Sequence, residues 1–303
     1  MPPPGFHADA KYVMRSLLFV PADSARKLEK SLTSGADAVI LDLEDAVAQD
    51  QKDAARASAA TFLKETASAK PRPRLFVRVN GLASGLTDAD LDAVMPAKPD
   101  AVVLPKAEGG ASIIHLDAKL SAREAMFGLP DASTGIFAFA IESARAMFLT
   151  GSYAGASRRL IGLTWGSEDL TLEFGAEKSR GADGGFLDPY RLARTLCLAA
   201  SAAAQVAAID TVYADFRNTE GLRREAEDAA REGFSGKMAI HPDQIPIINE
   251  AFTPAEKQLA WARAVAAAFA AAPDKGAVAV DGVMYDKPHL LRDRRLLARG
   301  KVF

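Results

Sequence analysis

The sequence lacks most of the features that mark secreted and membrane proteins. Its 303 residues include one cysteine, Cys197, so no intramolecular disulfide can form and a reducing compartment suits the chain. No apolar run approaches the roughly 20 residues that span a bilayer, and the N-terminal MPPPGFHADAKYVM has no apolar stretch of the kind found in secretory signals. These absences predict a cytoplasmic protein without a membrane partner.

A large excess of positive or negative charge is also lacking, as are several common binding motifs. The formal charge of −2 gives no overall basic character for binding nucleic acid. Neither GxGxxG nor GxxxxGK[ST] occurs, and the four histidines show no HxH or HExxH spacing. GxSxG is absent as well. We therefore expect neither a dinucleotide fold, nor a zinc centre, nor a serine hydrolase.

What the chain does contain, from Arg15 onward, is an alternation of short apolar runs with longer Ala- and Leu-rich stretches. Runs that are apolar throughout are typical of strands covered on both faces. Eight strand–helix units over about 230 residues predict an α/β fold, the (β/α)8 TIM barrel. A doubly wound open sheet is the alternative, and the missing glycine-rich turn after the first strand counts against it. The predicted strands are Ser16–Val20, Ala38–Leu43, Leu75–Asn80, Ala101–Pro105, Ile136–Glu142, Leu160–Thr164, Ala208–Tyr213 and Lys237–His241. The predicted helices between them are Ala22–Ser34, Gln51–Thr66, Asp88–Met95, Ala111–Phe127, Ala144–Tyr153, Pro189–Ala204 and Glu220–Glu232.

The pattern divides the chain into three parts: a disordered lead-in (1–14), the barrel (15–250) and a C-terminal extension (251–303). The extension is expected to serve as a lid and subunit contact. Its pattern predicts a helix at Pro254–Ala271 with Thr253 as N-cap, a hairpin or extended arm in DKGAVAVDGVMYDKP, and a basic helix at His289–Arg299. The connection Leu170–Leu187 contains GAEKSRGADGG and is expected to be an irregular loop over the site.

Two of the predicted strands lead into acids that core packing does not explain. Glu142 ends the fifth strand, and Asp169 follows the sixth. An unpaired buried charge costs several kcal/mol, so two carboxylates at neighbouring strand ends indicate a cation site. Mg²⁺ takes one or two carboxylates and leaves its other positions to water and substrate oxygens. The sequence therefore predicts magnesium on Glu142 and Asp169, with Asp169 preferred to its neighbour Glu168.

Other polar residues are expected at the same rim, because TIM-barrel active sites lie at the C-terminal ends of the strands. Arg78 is expected to grip a substrate carboxylate, with a rim ion pair as the alternative. Lys106 is expected to contact substrate or the rim, with a Schiff-base nucleophile as the alternative. Glu44 and Asp45 are further catalytic candidates, as groups that would hold metal-bound water or Lys106.

A set of motifs follows a characteristic order along the chain. RSLLFVPADS begins at Arg15, and SGADAVILDLEDAV, VRVNG, VVLPKAE, IES, GSEDL and AIDTVYADF come next. GFSGKMAIHPDQI, NEAFTP and the tail VDGVMYDKP complete the set. With these motifs in this order, the chain resembles the HpcH/HpaI aldolase and citrate lyase β-chain family. The resemblance extends from Arg15 to about Arg295. The likeness is greatest to stand-alone citrate-lyase-like and malyl-CoA lyase enzymes.

The resemblance implies a TIM barrel with a C-terminal lid, in a homo-oligomer that is trimeric or built from trimers, such as a hexamer. It implies Mg²⁺ as cofactor on Glu142 and Asp169, with Arg78 on the carboxylate of a keto or hydroxy acid. An aspartate of the tail, here Asp286, is expected to reach a neighbouring subunit's site as acid/base. Asp281 is the weaker match for that role.

The resemblance also implies contacts to a coenzyme A thioester. Phe19, Val20 and Lys30 match family positions that contact coenzyme A, and we add Ile240 and His241, at the end of the eighth strand, as candidate substrate contacts. One departure is Ser24, where several relatives carry arginine, so the phosphate contact would depend on Arg26.

The resemblance predicts a Mg²⁺-dependent carbon–carbon lyase that acts reversibly on malyl-, methylmalyl- or citramalyl-CoA to give acyl-CoA and a keto acid. Three alternatives stay open. The chain could hydrolyse the thioester, as malyl-CoA thioesterases do. It could be a citrate lyase β subunit that acts on a citryl thioester of an acyl carrier protein. It could also be a non-catalytic barrel, which the acids at Glu142, Asp169 and Asp286 argue against.

Overall fold

The computed structural model describes residues 14–300 and contains a closed barrel of eight parallel strands. The strands are β1 Ser16–Pro21, β2 Ala38–Asp42, β3 Arg74–Arg78, β4 Ala101–Leu104, β5 Gly135–Ile141, β6 Leu160–Trp165, β7 Ala207–Asp210 and β8 Gly236–Ala239. They pair in chain order, and β8 closes the barrel by pairing with β1. The predicted α/β TIM barrel is confirmed.

Helices surround this barrel and continue beyond it. They are α1 Ala25–Ser31, α2 Lys52–Thr66, α3 Thr87–Val94, α4 Gly110–Met126, α5 Ala144–Met147, α6 Ser167–Glu173, α7 Asp188–Ala204, α8 Thr219–Glu232, α9 Gln244–Phe252, α10 Glu256–Ala271 and α11 Lys287–Gly300. No helix within residues 14–300 is long and apolar enough to cross a bilayer.

Alternate side chains of the strands pack into two different cores. Ile40 and Phe76 belong to the apolar cluster inside the barrel, whereas Val39 and Val77 belong to the larger cluster between strands and helices. Side chains two residues apart on a strand share a face. Asp42 and Arg78, two residues beyond Ile40 and Phe76, therefore face the barrel interior at its C-terminal end.

Two local predictions are wrong. The connection predicted to be irregular over Leu170–Leu187 begins inside the helix α6, which extends to Glu173, because no glycine lies between Gly166 and Gly175. The helix predicted over Ala144–Tyr153 ends at Met147, and a separate 3₁₀ turn occupies Thr150–Tyr153. Gly151 lies within that predicted helix, and glycine has low helix propensity.

The C-terminal extension has its own small apolar cluster of Val265, Phe269, Tyr285 and Leu290. The expected hairpin is present as the antiparallel strands β9 Ala277–Val280 and β10 Val283–Asp286. Positive φ angles at its turn residues, 48° at Asp281 and 78° at Gly282, fit the Asp-Gly pair of a tight hairpin.

The boundaries of the extension differ slightly from the expected ones. Thr253 is not the N-cap of α10, because Ala255 occupies that position and the Thr253 hydroxyl donates instead to the carbonyl of Asn249. The helix α9 packs into the main core and ends at Phe252. Residues 1–13 of the predicted lead-in lie outside the described residues, and Met14 is buried inside the barrel. The division into barrel and lid stays a prediction.

Candidate active site

Arg78 lies at the C-terminal end of β3, and acids hold its guanidinium. Nε donates to Asp42 Oδ1 over 2.7 Å and Nη2 donates to Asp42 Oδ2 over 2.6 Å, which makes a bidentate pair. Nη1 lies 2.9 Å from Glu44 Oε2. The guanidinium carbon lies 4.9 Å from the ring centroid of Phe19 and 5.9 Å from that of Phe139. Burial opposes its charge, yet the hydrogen bond and charge of Asp42 raise the pKa of Arg78, so it stays a cation.

Lys106 follows β4 and is joined to the same acids. Its Nζ donates to Glu44 Oε1 over 2.7 Å and lies 3.4 Å from Asp45 Oδ1. Burial opposes its charge, but the hydrogen bond from Lys106 to Glu44 raises the pKa of the ammonium group. Because a Schiff base needs a free amine, this environment counts against Lys106 as a nucleophile. The contact expected between Lys106 and the acids Glu44 and Asp45 is present, and the catalytic role of these acids stays a prediction.

Glu142 comes directly after β5 and is buried, with 6% of its surface exposed. Its Oε2 accepts a hydrogen bond of 2.5 Å from the backbone N–H of Lys106. Burial raises the pKa of Glu142 well above its ordinary value, and the charge of Asp169 raises it further. Asp169 is half-buried in the first turn of α6, whereas Glu168 is exposed. The structure therefore brings the two proposed metal ligands within electrostatic reach of each other.

The charges at this rim do not balance. Five carboxylates, those of Asp42, Glu44, Asp45, Glu142 and Asp169, face two cations, Arg78 and Lys106. Burial raises the pKa of both Glu44 and Glu142, and neighbouring carboxylates raise it further, Asp45 for Glu44 and Asp169 for Glu142. A divalent cation would supply the missing charge.

The residues present fit a magnesium ion. A hard cation prefers carboxylate oxygens, and Mg²⁺ needs only one or two of them from the protein. Space for the Glu142 carboxylate is kept by Gly166, where a Cβ atom would lie 2.9 Å from Glu142 Cγ. Within residues 14–300, no group of three or more His, Cys, Asp or Glu side chains forms a metal-binding cluster. Glu142 and Asp169 could therefore hold magnesium if water and substrate oxygens complete its ligands.

Two buried side chains hold the loops that carry these groups. The Tyr153 hydroxyl accepts from the N–H of Gly109 over 3.1 Å and donates to the carbonyl of Ala140 over 3.1 Å. This joins the loop after β4 to the end of β5. Lys52 Nζ donates to the carbonyls of residues 43 and 44, over 2.7 and 2.8 Å, and so fixes the turn that presents Glu44.

The residues expected to contact coenzyme A lie at the ends of β1 and β8 or on α1. Phe19 packs against the core inside the barrel, and Val20 is buried in the outer core. Lys30 is exposed on α1, and Ile240 is 41% exposed just after β8, followed by the half-buried His241. Because β1 and β8 are neighbours, these positions share one side of the rim. Their contacts to coenzyme A stay predictions.

Asp286 lies at the end of β10, within the extension. Its Oδ1 is 2.5 Å from His289 Nδ1, and this hydrogen bond lowers the pKa of Asp286. The apolar cluster beside it belongs to the extension and is separate from the barrel cores. The role of Asp286 in a neighbouring subunit stays a prediction.

Sequence reasoning assigned no role to three residues that shape the site. Asp42 orients Arg78, and its position two residues before Glu44 on one strand face is a sequence signal for that. Gly166 makes room for Glu142. Phe216 stacks on His241 with ring centroids 4.7 Å apart, and no pattern pairs them because they follow different strands.

The fold and the site define a TIM-barrel enzyme with an acid-rich rim around one forked arginine. The chain belongs to the HpcH/HpaI aldolase/citrate lyase family, whose model matches residues 15–242. The predicted family is confirmed, and with it the prediction of a lyase-family enzyme.

Relatives resemble this chain over almost its whole length. A citrate lyase subunit beta-like protein of Mycobacterium tuberculosis is 38% identical over 283 residues, covering 93% of this chain and 94% of that protein. A (3S)-malyl-CoA thioesterase of Cereibacter sphaeroides is 37% identical over 301 residues, covering 97% of each. The crystal structure of CitE from Mycobacterium tuberculosis, in complex with magnesium, acetoacetate and coenzyme A, matches with a TM-score of 0.75 and 36% identity. That match covers 95% of this chain and 98% of CitE.

Proposed function

We propose that this chain is a magnesium-dependent carbon–carbon lyase acting on a short 3-hydroxy-acyl-CoA, such as malyl-, methylmalyl- or citramalyl-CoA. The observation that carries the proposal is the position of Glu142, which is buried at the C-terminal end of the barrel within electrostatic reach of both Asp169 and Arg78. Support comes from CitE, whose crystal structure holds a magnesium ion, a keto acid and coenzyme A together. In the cleaving direction the bond between the second and third carbons breaks, giving acyl-CoA and a keto acid.

The residues of the rim would divide the work as follows. Arg78 holds the carboxylate of the keto-acid portion and offsets negative charge that develops on its oxygens. Glu142 and Asp169 would hold the magnesium ion, which would act as a Lewis acid when bound. Glu44, between Arg78 and Lys106, keeps both cations in place. Closure of a neighbouring chain's extension over the rim would keep water from the enolate of the acyl-CoA.

Proton transfer at carbon is assigned to Asp286. In the condensing direction its carboxylate takes a proton from the methyl carbon of the acyl-CoA, leaving the enolate that attacks the keto carbon, and the alkoxide so formed takes a proton from water. In the cleaving direction the hydroxyl group of the substrate gives its proton to water, the carbon–carbon bond breaks, and protonated Asp286 returns a proton to the enolate carbon. The low pKa that His289 gives Asp286 in the isolated chain favours its ionised form, which is the form that the condensing direction needs.

Product analysis tests the proposal directly. The purified chain is incubated with MgCl₂ and malyl-CoA or citramalyl-CoA, with an EDTA-treated sample as control. Release of a keto acid together with acetyl-CoA is expected, only when magnesium is present. If neither malyl-CoA nor citramalyl-CoA is cleaved, the proposal is contradicted.

A thioesterase is the second candidate, because the malyl-CoA thioesterase relative matches 97% of this chain. That activity would release free CoA and intact malate in the same assay. A citrate lyase β subunit would instead turn over only a citryl thioester on an acyl carrier protein.

We further propose that the chain works as a homo-oligomer. An apolar face, formed by the exposed side chains Phe148, Phe174 and Leu192, lies where α5 and α6 end and α7 begins, beside the proposed site. Phe148 is 89% exposed and Leu192 is 53% exposed, and the face lines an open cavity of about 580 Å³. Contiguous apolar surface of this kind marks interaction sites. A second copy covering it would bring another chain close to Glu142 and Asp169.

Phe148→Glu should shift the chain toward monomer, because it places a charge on this apolar face. Light scattering coupled to size-exclusion chromatography gives the mass directly. The matched control is Met126→Glu, since Met126 is 70% exposed at the end of α4, away from the face. Equal masses for the Phe148 variant and the control would argue against this interface.

Donation of Asp286 across subunits predicts complementation. Glu142→Gln chains and Asp286→Asn chains should each be slow alone, and Asp286→Asn should still bind magnesium. Co-expression in equal amounts should restore up to about a quarter of wild-type activity, the share of sites that combine an intact Glu142 with an intact Asp286 from different chains. Activity of the mixture equal to the mean of the two parents would place Asp286 in its own chain's site or outside the mechanism.

A further inference from the structure

The two carboxylate oxygens of Glu142 have different surroundings. Oε2 accepts the 2.5 Å hydrogen bond from the backbone N–H of Lys106. Oε1 lies against the backbone of Gly166, where a Cβ atom would be 3.0 Å from it and 2.9 Å from Glu142 Cγ. Gly166 immediately precedes α6, whose first turn carries Asp169. One oxygen is therefore fixed by the protein, while the other faces the element that carries Asp169.

Glycine at position 166 is required by space and not by backbone conformation. Its φ of −119° and ψ of 115° are extended values that any residue adopts. Its N–H donates to the carbonyl of Ile141 over 2.9 Å, a bond that an alanine would keep. The close approach of the Glu142 side chain is thus the feature that excludes a Cβ atom here.

Lys106 contributes through its backbone. Its φ of 53° lies in the left-handed region, which is uncommon for a residue with a side chain. Such a conformation persists only where surrounding contacts hold it, and Tyr153 fixes the adjoining loop. The left-handed turn at Lys106 carries the N–H that meets Glu142 Oε2.

We infer that Gly166 and the left-handed backbone of Lys106 are positioning elements for magnesium. Together they select one orientation of Glu142, in which Oε2 is held by the protein and Oε1 is left for the cation. This inference rests on the proposed magnesium site at Glu142 and Asp169. It adds that the affinity of that site depends on a residue without a side chain, three positions before Asp169.

The test is Gly166→Ala, measured by calorimetric titration with MgCl₂ and by thermal unfolding in EDTA. A methyl group at 166 must displace the Glu142 carboxylate, so magnesium affinity should fall about 10- to 100-fold. The unfolding temperature in EDTA should stay close to the wild-type value, because the backbone conformation accepts alanine. Loss of affinity without loss of stability is the signature of a positioning role.

Two glycines provide matched controls. At Gly151 a Cβ atom would meet nothing within 4 Å, so Gly151→Ala should leave both measurements unchanged. At Gly162, on the strand β6 that Gly166 follows, a Cβ atom would lie 2.6 Å from the ring of Phe137. Gly162→Ala should therefore lower the unfolding temperature while the folded protein keeps its magnesium affinity.

The outcomes separate this inference from the proposed function. If wild type and Gly166→Ala bind magnesium with equal affinity, the inference is overturned and the proposed magnesium site is unaffected. No binding by wild type, with or without a keto acid, would overturn both. If Gly166→Ala does not fold, the inference is tested instead with wild-type crystals soaked in Mn²⁺, which show the oxygen of Glu142 that binds the ion. The ion must coordinate Glu142 Oε1, and coordination through Oε2 would refute the assignment.

Discussion

Glu142→Gln is expected to lower magnesium-dependent kcat/KM by about 100-fold or more, because it removes one of two protein ligands of the cation. The change keeps the shape of the side chain, and the amide oxygen can still accept the N–H of Lys106. Burial raises the pKa of Glu142, so its ionised form destabilises the metal-free fold at neutral pH. The variant should consequently unfold in EDTA at the wild-type temperature or above it.

Steady-state kinetics and thermal unfolding, each with and without MgCl₂, check this prediction. Added MgCl₂ should raise the unfolding temperature of wild type and leave that of Glu142→Gln unchanged. Glu168→Gln is the matched control, since Glu168 adjoins Asp169 but is exposed. Full activity in Glu142→Gln would remove this residue from the metal site.

Asp210→Asn is expected to have the largest effect on stability, about 3 kcal/mol or more of unfolding free energy. Asp210 is fully buried on β7 and accepts hydrogen bonds from Trp165, Arg194 and Lys237 over 2.9–3.0 Å. Lys237 is also fully buried, and Glu225 is its other acidic partner. Asparagine would leave these cations short of negative charge inside the protein.

Denaturant unfolding at several pH values checks the size and sign of this effect. Although burial opposes its charge, Lys237 and Arg194 lower the pKa of Asp210 to about 2, against an ordinary value of 3.8. The stability due to the charge is therefore present above about pH 4 and is lost as pH falls from about 4 to about 2. The gap between wild type and variant should narrow over that range. Asp228→Asn, an exposed acid on α8, should change stability by less than about 0.5 kcal/mol at any pH.

The barrel and the composition of its rim could be predicted from sequence for a physical reason. Strands buried on both faces are apolar throughout, so Glu142, Arg78 and Lys106 stand out at their ends. Parallel strands place all those ends on one side, so the topology alone brings the residues together. The pattern of apolar runs therefore predicts which of these residues lie near one another.

The pairings within that neighbourhood could not be predicted. Whether Arg78 meets Asp42, Glu44 or Glu142 depends on distances of a few ångströms, which the register of two strands and one turn decide. The need for glycine at 166 arises from a contact with a side chain on another strand, and one sequence does not show it. Thr253 was wrong as an N-cap because its hydroxyl found a carbonyl in the preceding helix turn.

The grip of Asp42 on Arg78 has a consequence for recognition. Two parallel hydrogen bonds to one carboxylate leave the guanidinium plane a single orientation before any ligand arrives. A flexible arginine would lose rotational freedom on meeting an incoming acid, about 0.5–1.5 kcal/mol for a side chain of this length. Here that ordering is complete when the chain folds, so the directions of the remaining Arg78 N–H groups are fixed before any ligand binds.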